Sequence, residues 1–429
     1  MTGPVPFGIG DVVELQIGPV AHGGHCVARL EGRVVFVRHT LPGEVVLAQL
    51  TDAGESARFW RADAVEILRA SSDRVPTRCP AAGVGGCGGC DWQHVDLPAQ
   101  RRLKAVVVAE QLRRLAGLDW AEEDVVVEEV PGDSDGLAWR TRVRLAVGED
   151  GRAGLRRHRS HEVVSLTGCP LAHPDLALGR LLERPWPAGA DVVVTGGSGA
   201  EATVHTVHGS RSTLQQGPSR RRERAGGRSW RVSGAGFWQV HPGAAEVLLA
   251  AVREALQPRP GDTLLDLYSG VGLFAGSLAA ELGPTGAAVA VESDAEAMRD
   301  ARRNLHDLPT VTLVQQRVDR HLRGPDAPAS ADLVVLDPPR SGAGAKVVAA
   351  IAALEPRGVA YVACDPASLA RDLRTFAEHG YTLAGLRAFD IFPMTHHVEC
   401  VASLVRTGPK SGPPAPTTGR MVADAGDGQ

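Results

Sequence analysis

The chain is long enough for several domains, apolar enough to fold and nearly neutral. It has 429 residues, 43% of them hydrophobic, and its 46 Lys and Arg against 50 Asp and Glu give a formal net charge of -4. This composition excludes wholesale disorder, and ~150 residues per domain predicts about three domains. No apolar run approaches the ~18 residues of a membrane span, and the amino terminus lacks a secretion-signal layout. We therefore expect a cytoplasmic protein without membrane association; the oligomeric state stays open, with a monomer as the default.

The first two regions are β-rich. Residues 1–70 alternate apolar and polar side chains between glycines, as in DVVELQIGPV and EGRVVFVRHT, which predicts a small OB-like β-barrel. Residues 71–235 form a central region that starts with the segment CPAAGVGGCGGCDWQH and a helical run from Leu97 to Ala116. Irregular β-structure is expected after that run, and the arginine-rich segment PSRRRERAGGR is expected to have no regular structure.

Strands and helices alternate from residue 236 to residue 406. The apolar runs TLLDLYS, AAVAVES, VTLVQQR, ADLVVLD and VAYVACD are typical of buried parallel strands. Their alternation with helical segments predicts a Rossmann-like, doubly wound α/β sheet. Residues 407–429 are rich in Pro, Gly and Ser, which predicts a disordered tail.

A nucleotide-type site is expected where the first of these strands ends. Gly270 and Gly272 lie in DLYSGVGLFAG, where a tight turn can bring the start of a helix close to a ligand. Glu292, at the end of the second strand, is suited to a pair of ribose hydroxyls. These features fit both nicotinamide dehydrogenases and S-adenosylmethionine methyltransferases. Asp266, a carboxylate suited to the amino-acid end of a sulfonium ligand, and the Asp337-Pro338-Pro339 turn favour the methyltransferase.

A nucleophile and a base are predicted next to that site. Cys364 comes at the carboxyl end of the fifth strand, and Glu399 enters a later apolar strand. A buried carboxyl is costly unless it is paired or functional. A thiolate beside a carboxyl of raised pKa suits covalent catalysis followed by proton abstraction. The neighbouring Cys400 points to the other strand face, which predicts a packing role.

Four of the seven cysteines indicate a metal site. Cys79, Cys87 and Cys90 follow a C-x7-C-x2-C spacing in a glycine-rich segment, and Cys169 follows at a distance. An odd number of cysteines in a cytoplasmic chain argues against a disulfide framework. The spacing alone does not separate tetrahedral zinc from an iron–sulfur cluster.

The ordered motifs DLYSGVGLFA, DPPRSGAG, the Cys364-Asp365-Pro366 turn and FPMTHHVE together resemble the 5-methyluridine RNA methyltransferase family. The resemblance covers about residues 236–405 and extends to FWQVHP. It implies that Cys364 adds to C6 of a uracil, and that Glu399 removes the proton from C5 after methyl transfer. The implied cofactor contacts are Gln239, Tyr268, Glu292 and Asp337, with Asp319 near the adenine amine.

The resemblance also implies the partners. CGGC, with the cysteines on either side, resembles the [4Fe-4S] site of the ribosomal RNA members, although the first gap here is two residues longer. Residues 1–70 resemble a TRAM domain, which is an RNA-binding module. The resemblance therefore favours 5-methyluridine formation in 23S ribosomal RNA. A transfer RNA uridine-C5 methyltransferase and a non-catalytic RNA-binding protein are the alternatives.

A run of basic side chains indicates a surface for RNA. Salt-sensitive RNA binding is expected from the basic side chains between residues 140 and 159, namely Arg140, Arg142, Arg144, Arg152, Arg156, Arg157, His158 and Arg159.

Two other enzyme classes fit the sequence less well. An RNA cytosine-C5 methyltransferase usually places its cysteine at the fourth strand's turn, but no cysteine adjoins Asp337-Pro338-Pro339. A nicotinamide dehydrogenase would leave Cys364 and Glu399 without a role.

Overall fold

The structure is a computed structural model that describes residues 7–54, 56–197, 199 and 201–407. Apart from its first residue, the predicted disordered tail lies outside the described residues. Three regions follow one another along the chain, each built around its own sheet. The α/β class and the β-rich amino-terminal region that the sequence predicts are both confirmed.

The N-terminal sheet has five strands in the order β1-β4-β5-β3-β2. Buried and exposed residues alternate along its strands, as expected for a sheet with one face on a core. Val35, Val46 and Trp60 lie in that core. β1 and β2 are the two edge strands, so the sheet is open and forms a half-barrel and not a closed barrel. The strands are β1 (Val12–Gln16), β2 (Cys26–Leu30), β3 (Arg33–Arg38), β4 (Val45–Asp52) and β5 (Trp60–Arg69).

The predicted helical run is present as α1 (Leu97–Gln111), which continues in a π-helical turn, Leu112–Ala116. Val108 and Leu112 on this run pack into the core of the catalytic domain. The short strand β6 (Val127–Glu128) pairs with the edge of the catalytic sheet. Both segments therefore pack with the catalytic domain although they lie in the predicted central region.

The central sheet has six strands in the order β12-β11-β10-β7-β8-β9. One helix, α2 (Leu178–Glu183), packs on it and shares its core. The strands are β7 (Arg142–Val147), β8 (Ala153–Arg156), β9 (Val163–Ser165), β10 (Asp191–Thr195), β11 (Thr203–His208) and β12 (Arg211–Gln216).

The arginine-rich segment was expected to be irregular, and that expectation is wrong. It forms most of a hairpin of β13 (Arg220–Ala225) and β14 (Arg228–Ser233), joined by Gly226 and Gly227 in the left-handed region. Trp230 is fully buried and packs into the catalytic core. Tertiary packing of that tryptophan, which follows the segment, overrides the unfavourable local composition.

The catalytic sheet has the order β17-β16-β15-β18-β19-β21-β20-β6, and its strands β15 to β19 are parallel as predicted. β21 runs antiparallel between β19 and β20. The strands are β15 (Thr263–Leu267), β16 (Ala287–Glu292), β17 (Val311–Gln315), β18 (Leu333–Leu336), β19 (Gly358–Ala363), β20 (Tyr381–Phe389) and β21 (Glu399–Arg406).

Helices cover both faces of this sheet, and two core clusters lie between helices and sheet. Two helices start with side-chain caps, since Asp294 caps α5 and Asp365 caps α8. The helices are α3 (Ala244–Leu256), α4 (Leu273–Leu282), α5 (Ala295–Asn304), α6 (Val318–His321), α7 (Ala345–Ala353) and α8 (Pro366–Glu378). The carboxyl ends of β15, β16, β18 and β19 meet at one edge, which is where ligands bind in such sheets.

Candidate active site

A cleft of about 1020 Å³ opens at the carboxyl ends of the parallel strands. Eight of the nine predicted catalytic and cofactor-binding residues line it. They are Gln239, Tyr268, Gly270, Glu292, Asp319, Asp337, Cys364 and Glu399. The sequence motifs that were separated by up to 160 residues thus meet in one cavity.

The glycine turn after β15 has the backbone that the sequence predicts. Gly270 and Gly272 have φ values of 55° and 90°, in the left-handed region that glycine adopts without strain. The amide of Gly272 donates to the carbonyl of Ser269 at 2.8 Å, and a Cβ on Gly272 would lie 2.6 Å from Leu305 Cδ1. The turn therefore brings the start of α4 close to the cleft.

Glu292 holds this turn as well as lining the cleft. Its Oε2 accepts a hydrogen bond from the Gly270 amide at 3.1 Å. Its Oε1 accepts from the amides of Ser293 and Asp294 at 2.6 and 2.7 Å. The carboxylate is thereby fixed at the end of β16, where its remaining lone pairs can meet ligand hydroxyls.

Asp266 is the one predicted cofactor residue that does not line the cleft. It is buried within β15, and its Oδ2 accepts from the Ala275 amide in the first turn of α4 at 2.8 Å. Burial raises the pKa of Asp266 to about 7, with smaller contributions from Asp337 and Glu292. The strand directs this side chain toward α4, and the expected contact with the amino-acid end of a sulfonium ligand stays a prediction.

Gln239 reaches the cleft on a segment that the central sheet holds in place. The Thr141 amide and hydroxyl both donate to the Val240 carbonyl at 2.9 Å. Arg142 donates to the carbonyls of Ala235 and Gly236 at 2.9 and 3.1 Å. The first strand of the central sheet thus positions the residues that precede the catalytic domain.

The lining of the cleft is rich in carboxylates. It contains seven of them against three arginines, Arg142, Arg317 and Arg340, and the acids are Glu292, Asp294, Glu296, Asp300, Asp319, Asp337 and Glu399. Carboxylates accept hydrogen bonds and attract cations, so this lining suits a ligand that carries a sulfonium, an ammonium and ribose hydroxyls. It opposes the pyrophosphate of a dinucleotide, which argues against the dehydrogenase alternative.

Asp319 lies at the start of α6 rather than at the end of the preceding strand. Its Oδ1 accepts from Arg317 Nε at 2.9 Å, and Arg323 pairs with its other oxygen at 3.3 Å. The hydrogen bond from Arg317 lowers the pKa of this half-buried carboxyl.

Cys364 and Glu399 lie at the ends of neighbouring strands. β19 pairs with β21 so that Ala363 faces Cys400; Cys364 directly follows Ala363, Glu399 directly precedes Cys400, and both line the cleft. Burial raises the pKa of Glu399 well above its usual range, and Asp337 raises it further. Burial also raises the pKa of Cys364 to about 12, with Glu399 the largest charged contributor. The cleft thus holds a thiol and a neighbouring buried carboxyl, and both groups have a raised pKa. Cys400 is fully buried in the core, as expected.

Sequence reasoning missed two histidines at this site. His397 lines the cleft, and its Nε2 lies 3.2 Å from Arg340 Nη2. His22 of the N-terminal sheet approaches Asp365, next to the nucleophile, at 2.9 Å. The motif FPMTHHVE contains His397 and could have indicated it. No sequence signal connects His22 to a residue 343 positions away.

Comparison with known proteins finds two matching family profiles and several similar chains. The profile of the tRNA (uracil-5-)-methyltransferase family matches residues 227–407, and that of the TRAM domain matches residues 6–65. A Streptomyces avermitilis protein named an uncharacterized RNA methyltransferase is 50% identical, over 92% of this chain and 98% of that protein. A Bifidobacterium longum protein of the same description is 38% identical, over 92% of this chain and 96% of its own.

The chain belongs to the S-adenosylmethionine-dependent RNA uracil-5 methyltransferase family. It is accordingly an RNA methyltransferase with an RNA-binding TRAM domain at its amino terminus. Among solved structures, a Pyrococcus abyssi tRNA (uracil-54, C5)-methyltransferase in complex with S-adenosyl-L-homocysteine superposes with a TM-score of 0.65 at 23% identity. The alignment covers 91% of this chain and 99% of that one, which shows a common fold.

The four predicted metal-binding cysteines of this methyltransferase come together away from the cleft. Cys79, Cys87, Cys90 and Cys169 line one small cavity, beside Arg140. Burial raises the pKa of Cys87, and that of Cys90 to about 12. Within the described residues, no group of three or more Cys, His, Asp or Glu side chains is arranged to hold a single metal ion. The cavity brings the four thiols together, and the cluster itself stays a prediction.

Several arginines of the predicted basic patch are exposed, namely Arg144, Arg152, Arg156 and Arg159. Arg144 and Arg156 also pair with Asp191, at 2.7 and 3.3 Å. Arg142 is half-buried, lines the cleft and donates to backbone carbonyls there. RNA binding by this patch stays a prediction.

No helix among the described residues has the length and hydropathy of a membrane span.

Proposed function

We propose that this protein methylates C5 of a uridine in RNA through a covalent bond between Cys364 Sγ and C6 of the uracil. The observation that carries the proposal is that Cys364 and Glu399, which adjoin the paired residues Ala363 and Cys400, line the same cleft as the glycine turn. The Cys364 thiol gives up its proton to water as the sulfur adds at C6, and this addition turns C5, a poor nucleophile in free uracil, into an enolate-like carbon. S-adenosylmethionine supplies the methyl group when bound.

Cofactor binding and removal of the C5 proton are assigned to different residues of the cleft. Gln239, Tyr268, Glu292, Asp319 and Asp337 would hold the cofactor, because they surround the glycine turn in the cleft. Glu399 would take the proton from C5 after the methyl group has been transferred. The electrons of that C–H bond form the C5–C6 double bond, and the C6–S bond breaks to return Cys364.

The structure around Glu399 favours proton uptake by its carboxyl group. The buried carboxyl lies close to Asp337, and both groups have a raised pKa. A carboxylate whose pKa is raised is a stronger base than an exposed one, which suits removal of the C5 proton. The target base must leave its stack to reach this cleft, so a loop or a strained helix is the expected substrate.

We further propose that Cys79, Cys87, Cys90 and Cys169 hold a [4Fe-4S] cluster. All four line one cavity, and four thiolates are the usual ligand set of such clusters. Their similarity to the cysteines of the ribosomal RNA members supports 23S ribosomal RNA as the substrate.

Transfer RNA is the second candidate substrate. The Pyrococcus abyssi structure covers 91% of this chain, which is more than the central and catalytic regions together contain. A barrel and a central region are therefore compatible with a protein named as a transfer RNA methyltransferase. The architecture alone does not favour ribosomal RNA.

A trapping experiment tests the reaction and the substrate. The protein is incubated with S-adenosylmethionine and either 23S ribosomal RNA fragments or transfer RNA transcribed with 5-fluorouridine. Fluorine is not removed as a proton, so a denaturant-resistant protein–RNA adduct is expected with the true substrate. Cys364→Ser should form no adduct, whereas Glu399→Gln should accumulate one even on normal RNA. Failure of the wild type to react with either RNA would overturn the proposal.

A further inference from the structure

The loop of residues 20–26, between β1 and β2 of the N-terminal sheet, reaches the catalytic domain. It is a tight turn, in which Val20 and Cys26 pair as a β-bridge and the Ala21 amide donates to the His25 carbonyl at 2.8 Å. Trp92 Nε1 donates to the Gly24 carbonyl at 2.9 Å and fixes the tip of the loop from the central region. The loop therefore has a defined shape where it meets the active site.

One contact of this loop is with the turn that bears the nucleophile. His22 Nε2 lies 2.9 Å from Asp365 Oδ2. The other oxygen, Asp365 Oδ1, accepts from the Ser368 amide at 2.7 Å and caps α8. The Asp365 carboxylate is thus held from two sides, by the first turn of α8 and by His22 of the loop. Asp365 directly follows Cys364 in the chain.

A second contact is with the segment that leads to the base. Gly24 has a φ of 81°, and a Cβ there would lie 2.6 Å from His396 Cβ. His396 lies three residues before Glu399, and its Nδ1 is 2.6 Å from Asp91 Oδ2. The loop thus lies against both halves of the catalytic pair, with one contact beside Cys364 and one just before Glu399.

We propose that His22 is a positioning residue for Cys364, so that the N-terminal sheet acts on the chemical step as well as on RNA binding. This inference rests on the proposed covalent function. A polar contact of 2.9 Å to the residue after a nucleophile restricts the backbone turn that aims the thiol at C6. A displacement of about 1 Å at a reacting atom is enough to slow a reaction by about 100-fold.

The test compares His22→Ala and His22→Gln in the full chain. Gln is the conservative variant because its Nε2 can donate to Asp365 from nearly the position of the histidine nitrogen. We measure the rate of adduct formation on 5-fluorouridine RNA at saturating RNA and cofactor, and the dissociation constant for the same RNA. His22→Ala should lose about 10- to 100-fold in rate with RNA affinity unchanged within about twofold, and Gln should restore most of the rate.

His161→Ala is the matched control. His161 is exposed in the central region and contacts neither catalytic segment, so its replacement should leave both quantities unchanged. If His22→Ala has a lowered melting temperature, the Gln variant decides the result. An unchanged rate in His22→Ala, or a weaker RNA affinity at unchanged rate, would overturn the positioning role. A wild type that forms no adduct would instead refute the proposed function, and this inference with it.

Discussion

Cys364 and Glu399 line one cleft from neighbouring antiparallel strands, because Cys364 follows Ala363, Glu399 precedes Cys400, and Ala363 and Cys400 face each other. Glu399 raises the cost of ionising Cys364, because both are largely buried and both would carry negative charge. The pKa of Glu399 itself is raised by burial and then by Asp337. Under the proposed mechanism, the Cys364 thiol has to lose its proton when the sulfur adds to the uracil.

Glu399→Gln should increase the reactivity of Cys364 toward iodoacetamide in the absence of RNA. The substitution removes the largest charged contributor to the raised pKa of the thiol, and the thiolate is the reactive form. We expect up to about tenfold faster alkylation at pH 8, since one pKa unit changes the thiolate fraction about tenfold. Mass spectrometry of the Cys364 peptide measures the rate. Glu355→Gln, at an exposed acid paired with Arg406, is the control and should have no effect.

The same substitution should stabilise the protein in a pH-dependent way. The pKa of Glu399 is higher in the folded state, so the folded protein holds this proton at a pH where the unfolded chain has lost it. Above the unfolded pKa of ~4.3, the free energy of unfolding of the wild type falls by up to about 1.4 kcal/mol per pH unit, until the folded pKa is reached. Urea unfolding at pH 5 and pH 8 should show a larger advantage of Glu399→Gln at pH 8. An equal difference at both pH values would contradict the raised pKa.

Gly272→Ala should weaken both the fold and cofactor binding. The residue has a φ of 90°, and a Cβ there would lie 2.6 Å from the buried Leu305 side chain. The backbone strain alone costs about 1–3 kcal/mol, and the displacement of Leu305 adds to it. Gly270→Ala is the comparison, because a Cβ at Gly270 meets no atom within 4 Å. Thermal unfolding and S-adenosylmethionine titration should both show the larger loss for Gly272→Ala.

Lys104→Met should be strongly destabilising although the residue does not itself line the cleft. The Lys104 ammonium is fully buried, pairs with Asp390 and donates to the Phe392 carbonyl at 3.1 Å. Removing it leaves the Asp390 charge buried and unpaired, which typically costs about 3–5 kcal/mol. The double variant with Asp390→Leu should recover most of this loss in urea unfolding. If the double variant is no more stable than Lys104→Met, the unpaired charge is not the cause.

Replacing any one of the four cysteines with serine should abolish iron binding; the variants are Cys79→Ser, Cys87→Ser, Cys90→Ser and Cys169→Ser. After anaerobic purification, the wild type should be brown and contain about four irons per chain if all four thiolates hold one cluster. Cys26→Ser is the control, because Cys26 is buried in the N-terminal sheet, away from the four-cysteine cavity. Metal analysis and visible absorbance measure the outcome. Equimolar zinc without iron in the wild type would contradict the cluster.

Local patterns were sufficient for the elements of the catalytic domain. Uninterrupted runs of Val, Leu and Ala predict buried parallel strands, and the five runs from β15 to β19 are parallel strands in the structure. The residues at the ends of those strands could be assigned to one edge because parallel strands share their direction. For this reason Glu292, Asp337 and Cys364 were placed at one cleft from the sequence.

Only the tertiary structure decided where several side chains point and what they contact. Asp266 is turned into the interior against α4, Arg142 donates to backbone carbonyls beside the cleft, and Trp230 packs a hairpin of the arginine-rich segment against the catalytic core. The contact of His22 with Asp365 joins residues 343 positions apart. Sequence patterns report on neighbours within a strand or helix turn, whereas these contacts depend on how separate sheets pack together, which no local period encodes.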